Sequence, residues 1–105
     1  MNKLDINHIP DIFQSKLRIA LVSCLITGAK SFRELKEVTG ATDGNLSVHL
    51  TKLQKAGYIV IRKDFFNNKP RTEYELTQKG RNEFIEYVNR LQQIVNGYNP
   101  PENNK

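Results

Sequence analysis

Thiols are almost absent: Cys24 is the one cysteine in 105 residues, which excludes an intrachain disulfide and any metal site built on paired thiolates. It lies in "IALVSCLIT", where the apolar neighbours point to a buried, inert thiol rather than a redox sensor. Histidine is scarce as well. His8 and His49 are far apart, and a site joining them to Cys24 has no ligand spacing to support it, so no metal is expected. No serine or cysteine has a histidine at a catalytic spacing, and no glycine-rich phosphate loop occurs, so neither an enzyme nor a bound cofactor is expected. There is no run of 18 apolar residues, and the start "MNKLDINHIPDIF" lacks an uninterrupted apolar segment; the expectation is a cytoplasmic protein with no membrane partner.

What is present is the balance of a globular chain, 38% hydrophobic and 26% charged. Its length suits one domain over residues 1–105, with a core over about 12–80, and leaves too little for a second. The formal charge of +5 is unevenly placed: residues 1–41 carry +2, residues 42–81 carry +4 and residues 82–105 carry −1. A basic middle beside a near-neutral remainder suggests a polyanion footprint.

Residues 16–27, "KLRIALVSCLIT", are apolar on nearly every side, with Lys16, Ser23 and Thr27 on one narrow polar stripe. That pattern describes a central helix, with Ser15 as its cap and Gly28 as its stop. "NHIPDIFQS" before it reads as a short helical turn with Pro10 near its first position. In "SFRELKEVTG", Ser31 and Glu34 form a capping box, Leu35 and Val38 share one face and Gly40 terminates the helix. Three residues then separate this helix from the next, the connector of a helix-turn-helix.

The third helix opens on Thr42, Asp43, Gly44, Asn45 and Ser47, residues that favour caps and loops over helix interiors. Leu46, Leu50 and Leu53 recur at i, i+4 and i+7 and must face the core. Rotation of 100° per residue then sends Gly44, Val48, Thr51 and Lys55 outward, flanked by Asn45, Ser47 and Lys52. Gly57 fits the stop, with Tyr58 against Leu53. "YIVIRKD" and "TEYELT" alternate as strands and "FFNNKPR" reads as their turn, giving a hairpin with a basic tip that carries Lys63, Lys69 and Arg71. At least one of Phe65 and Phe66 is expected to fold back onto the body.

Thr77 caps a final helix over about 78–97, with Phe84, Val88, Leu91 and Val95 in one row and Tyr87, Ile94 and Tyr98 in a second. At about 1.5 Å per residue, some 18 residues span roughly 27 Å, more than so small a body covers, so these rows are the expected surface of a homodimer. The tail 98–105, "YNPPENNK", is expected to be disordered. The order helix, helix, helix, hairpin, helix is mainly α within the α+β class. A third helix whose start is poor in side chains can approach a duplex, offer backbone N–H groups to a phosphate and send Asn, Ser and Thr to base edges.

"TDGNLSVHLTKLQKAGYI" and "NKPRTEYELTQKGR" in this order resemble the winged helix-turn-helix regulators related to the MarR group, in particular the compact bacterial winged-helix DNA-binding domain proteins. The resemblance covers about residues 12–95. It implies a dimeric transcription factor that binds double-stranded DNA with its third helix in the major groove and its wing on the adjacent minor groove. Carried over by position, recognition contacts fall on Thr42, Asp43, Asn45, Ser47, Val48, His49, Thr51 and Lys52, and wing contacts on Lys69 and Arg71. For Asp43, helix capping is the favoured role, since a carboxylate beside phosphate is repulsive. For His49, a phosphate contact and an interfacial role within the fold stand level. The chain lacks the extra length of family members with an effector pocket, so a small-molecule effector is unassigned, with the dimer cleft as its remaining place. A different class of function, a winged helix used as a protein-interaction module through its last helix and exposed phenylalanines, is the alternative.

Overall fold

Four hydroxyl side chains start the four helices of the computed structural model, which describes residues 10–97. A 3-10 turn at Asp11–Phe13 leads into α1, Lys16–Leu25, where the Ser15 hydroxyl accepts from the Arg18 amide at 3.3 Å. The two-residue strand β1, Lys30–Ser31, runs directly into α2, Phe32–Thr39. There the expected capping box is complete: Ser31 Oγ accepts from the Glu34 amide at 3.1 Å, and Glu34 Oε1 accepts from the Ser31 amide at 2.8 Å. That backbone bond is the main reason the Glu34 carboxyl titrates below its ordinary value. Thr42 Oγ1 caps α3, Asp43–Lys55, by accepting from the Asn45 amide at 3.2 Å. Thr77 Oγ1 does the same for α4, Gln78–Gly97, through the Gly80 amide at 3.0 Å.

The hairpin strands are β2, Ile59–Phe66, and β3, Lys69–Leu76, and the sheet order is β1-β3-β2, all antiparallel. Leu21, Val22, Leu25, Leu35, Leu46, Leu53 and Ile59 are sealed from solvent, with Phe13, Leu50, Tyr58 and Leu76 closing the same cluster. The leucine ladder of α3 therefore faces inward as its spacing requires. Past it, Gly57 at φ 82° makes the stop, with the Tyr58 amide donating to Leu53 O at 2.9 Å and the Gly57 amide to Gln54 O at 3.0 Å. Thr77 ties this turn to the start of α4: its hydroxyl reaches Gly57 O at 2.6 Å and its amide donates to Tyr58 O at 2.9 Å.

Five local expectations need correction. The turn is not 65–71 but the pair Asn67-Asn68, at φ 55° and 64°. This is the geometry of a type I′ hairpin, which asparagine tolerates and which lets both strands run on to Phe66 and Lys69. Neither phenylalanine folds back: Phe65 is 72% and Phe66 58% exposed, because the strands carry them beyond the body. Val38 stands 65% exposed while Leu35 is sealed, since an eight-residue helix gives only one full turn to the core. α1 ends at Leu25, two residues short of Thr27, whose hydroxyl turns back to Cys24 O. Finally, β1 carried no strand signal; it exists because Lys30 and Ser31 lie opposite Tyr74 and Glu73 of β3. Tyr98, the tail 98–105 and His8 lie outside the described residues.

Candidate nucleic-acid interface

The outward face of α3 is continuous and short in side chains. Thr42, Asp43, Gly44, Asn45, Ser47, Val48, Thr51, Lys52 and Lys55 are all exposed, and an added Cβ at Gly44 would meet nothing within 4 Å. Val48 is the one aliphatic residue in the row and is 52% exposed. It has the size to touch a thymine methyl. The helix N-terminus adds its partial positive charge to the same surface, and Lys52 and Lys55 add theirs at the other end.

Asp43 has a partner that the spacing did not single out. The cap is Thr42; Asp43 is the first helical residue, and its carboxylate pairs with Lys36 Nζ of α2 at 2.7 Å. The pair clamps the two helices of the helix-turn-helix together and neutralises a carboxylate beside the exposed face. Exposed as it is, it contributes little stability.

His49 is half-buried between the faces. Arg18 Nη1 of α1 lies 3.1 Å from its Nδ1, while Arg18 Nε donates to Ile12 O at 2.8 Å and Nη2 to Asp11 O at 3.3 Å. A guanidinium can only donate, so His49 Nδ1 accepts and the ring proton sits on Nε2. Burial first, then the charges of Arg18 and Lys52, hold the imidazole below its usual value. His49 thus sits against α1, and Arg18, an arginine in a mostly apolar helix, was the available signal for that contact.

The hairpin separates its cations. Residues directly opposite share a face and successive residues alternate. The pairs Asp64↔Arg71 and Phe66↔Lys69 therefore lie on one face, and Lys63↔Thr72 and Phe65↔Pro70 on the other. Lys63 thus stands on one face of the hairpin and Lys69 and Arg71 on the other. Arg71 is held in place: its Nη2 donates to Glu73 Oε2 at 2.6 Å and its guanidinium lies 4.9 Å from the centre of the Phe66 ring. Arg62, which no motif in the sequence marks, pairs with Glu75 on that same face.

α4 divides the expected dimer residues. Phe84 and Tyr87 pack against the core of their own chain, with Tyr87 stacked on Phe13 at 4.7 Å. Val88, Leu91, Ile94 and Val95 are exposed, as is Ile85, and every residue from Leu91 to Gly97 is open. Among the described residues no helix is long and apolar enough to cross a membrane.

A sequence model of the winged helix DNA-binding domain matches residues 17–95. An uncharacterized protein of Methanocaldococcus jannaschii is 34% identical over 85 residues, covering 79% of this chain and 91% of that one. Among solved structures, a MarR-family transcriptional regulator from Enterococcus faecalis superposes with a TM-score of 0.74 at 26% identity, over 89% of this chain and 84% of its own. A transcriptional regulator homologue from Pyrococcus horikoshii gives 0.70 at 25% identity, over 83% and 92%.

Proposed function

The chain belongs to the winged helix DNA-binding domain family, with MarR-like regulators as its structural neighbours, and from that premise we propose that it is a homodimer reading a specific double-stranded DNA sequence to regulate transcription. The observation that carries the reading is the exposed face of α3, where Asn45 and Ser47 stand one turn into a helix that begins at the capping Thr42. The Asn45 side chain makes no hydrogen bond among the described residues, although its amide is used by the cap. Its free carboxamide matches the N6/N7 edge of adenine. Thr51, Lys52 and Lys55 then follow the phosphate backbone, and the wing reaches the neighbouring minor groove with Lys69 and Arg71.

The open end of α4 supplies the second copy. Ile85, Val88, Leu91, Ile94 and Val95 form an apolar face with no cover among the described residues, and pairing two such faces places two α3 helices on one molecule. Successive major grooves on one side of a duplex lie about 34 Å apart, so a two-fold dimer meets a palindromic site.

Salt titration tests this footprint. If Lys52, Lys55, Lys69 and Arg71 of both subunits each neutralise a phosphate, roughly eight contacts give a slope near −7 in log K against log salt. For Arg71 this means exchanging Glu73 for a phosphate. The exposed Phe65 and Phe66 favour the second reading, a protein-interaction module. That reading expects a slope on duplex DNA shallower than about −2.

A further inference from the structure

The wing tip holds an apolar pair that neither the groove-reading helix nor the phosphate contacts use. Phe65 and Pro70 stand directly opposite each other on β2 and β3, on the face away from Arg71. Phe65 is 72% exposed, and every residue from Arg62 to Arg71 is open to solvent. Phe66, on the other face, already has an occupant in the Arg71 guanidinium; Phe65 has only Pro70 across from it.

The tip is stiff. Asn67 and Asn68 close a two-residue turn with both φ angles positive, and Pro70 fixes its own φ beside the closing pair Phe66↔Lys69. Pairs alternate in an antiparallel ladder, so Phe65↔Pro70 falls where Pro70 needs no N–H and where opposing side chains come closest. An apolar group held on a rigid two-stranded tip meets a partner without first losing much conformational freedom.

Charge selects the partner. Residues 62–71 carry Arg62, Lys63, Lys69 and Arg71 against Asp64 alone: Lys63 shares the face of the apolar pair, Arg62, Lys69 and Arg71 lie on the other face of the same tip, and two asparagines close its end. Proteins that open the minor groove combine these elements: Lys, Arg and Asn on the groove edges and backbone, and a Phe or Pro wedge between base steps. We propose that Phe65, backed by Pro70, is a wedge that enters a base step in the minor groove and kinks the duplex, with Asn67 and Asn68 on the groove floor. The proposal rests on the DNA-binding reading above and adds a deformation step to it. The wing then selects flexible pyrimidine–purine steps through the energy needed to unstack them, without a hydrogen bond to any base there.

The experiment uses the full chain and a short duplex recovered by selection on the wild-type protein. 2-Aminopurine is placed at successive steps under the wings, and end-to-end distance is followed by energy transfer. Wild type should raise 2-aminopurine fluorescence several-fold at one step per half-site and shorten the duplex. F65A should bind with an unchanged salt slope, since no charge is lost, while fluorescence returns to that of free DNA and the bend relaxes. F65L should keep most of both signals, because leucine also serves as a wedge. F66A should weaken binding through Arg71 and leave the unstacking in place. Unstacking and bending that persist in F65A overturn the wedge, and wild-type binding with neither signal overturns it too and leaves the tip to a protein partner. No binding by wild type overturns the wedge together with the DNA-binding reading.

Discussion

Gly80→Ala should cost the fold about 2 kcal/mol net and lower the melting temperature by roughly 10 °C. Alanine is the better helix former by about 1 kcal/mol, so a destabilisation of this size has to come from packing. Gly80 sits one turn into α4 against the root of the hairpin. A Cβ there would collide with the carbonyl oxygen of Tyr58, with that residue's carbonyl carbon at 3.0 Å and Leu76 Cδ2 at 3.1 Å. Backbone cannot rotate out of the way, so α4 must lift from Tyr58 and Leu76, two members of the core. Overpacking of this kind typically costs 1–3 kcal/mol or more, here taken as about 3. Gly44→Ala is the control: nothing lies within 4 Å of its added Cβ, so it should gain up to about 1 kcal/mol. Thermal unfolding of the two variants should therefore move in opposite directions, and Gly80→Ala melting at or above wild type contradicts the packing argument.

Leu91→Glu should leave each chain folded and reduce affinity for a palindromic site by about a hundredfold or more. Leu91 is 40% exposed and lies outside the core, so a carboxylate there is tolerated by a single chain. In the proposed dimer it would be buried between two copies without a partner, which costs several kcal/mol. Loss of the dimer turns one two-handed binding event into two independent ones and forfeits the effective concentration of the second hand. Sedimentation should give a 12.1 kDa species for the variant and twice that mass for wild type at tens of micromolar. A wild-type monomer at that concentration removes the basis of the dimer.

The fold was legible where chemistry is local. Ser15, Ser31, Thr42 and Thr77 cap the helices they precede, and the ladder of Leu46, Leu50 and Leu53 faces the core. Gly57 stops α3 as its position indicates. These devices act within a few residues, so their signal survives in a bare sequence. The misses arise from distant partners. β1 is a strand only because β3 passes beside it, and the tight turn depended on two asparagines accepting positive φ rather than on the wider stretch around them. Phe65 and Phe66 are open because paired strands carry them past the body, which composition cannot show. At the candidate site, the outward face of α3 followed from rotation alone. The partners that define Asp43 and His49, Lys36 and Arg18, lie on other helices and are set by tertiary packing.

The claim at the centre is that α3 reads base edges, and the most direct measurement compares wild type and Asn45→Ala on two duplexes at one salt concentration, one carrying the selected site and one a scrambled sequence of equal composition. Asn45 is exposed, points away from the core face that its neighbour Leu46 occupies and makes no side-chain hydrogen bond among the described residues, so its truncation leaves the fold and the cations of the wing intact. The account predicts a loss of about 1–3 kcal/mol on the selected site and little change on the scrambled one. Equal losses on both duplexes, or none on either, would mean that this helix does not read sequence.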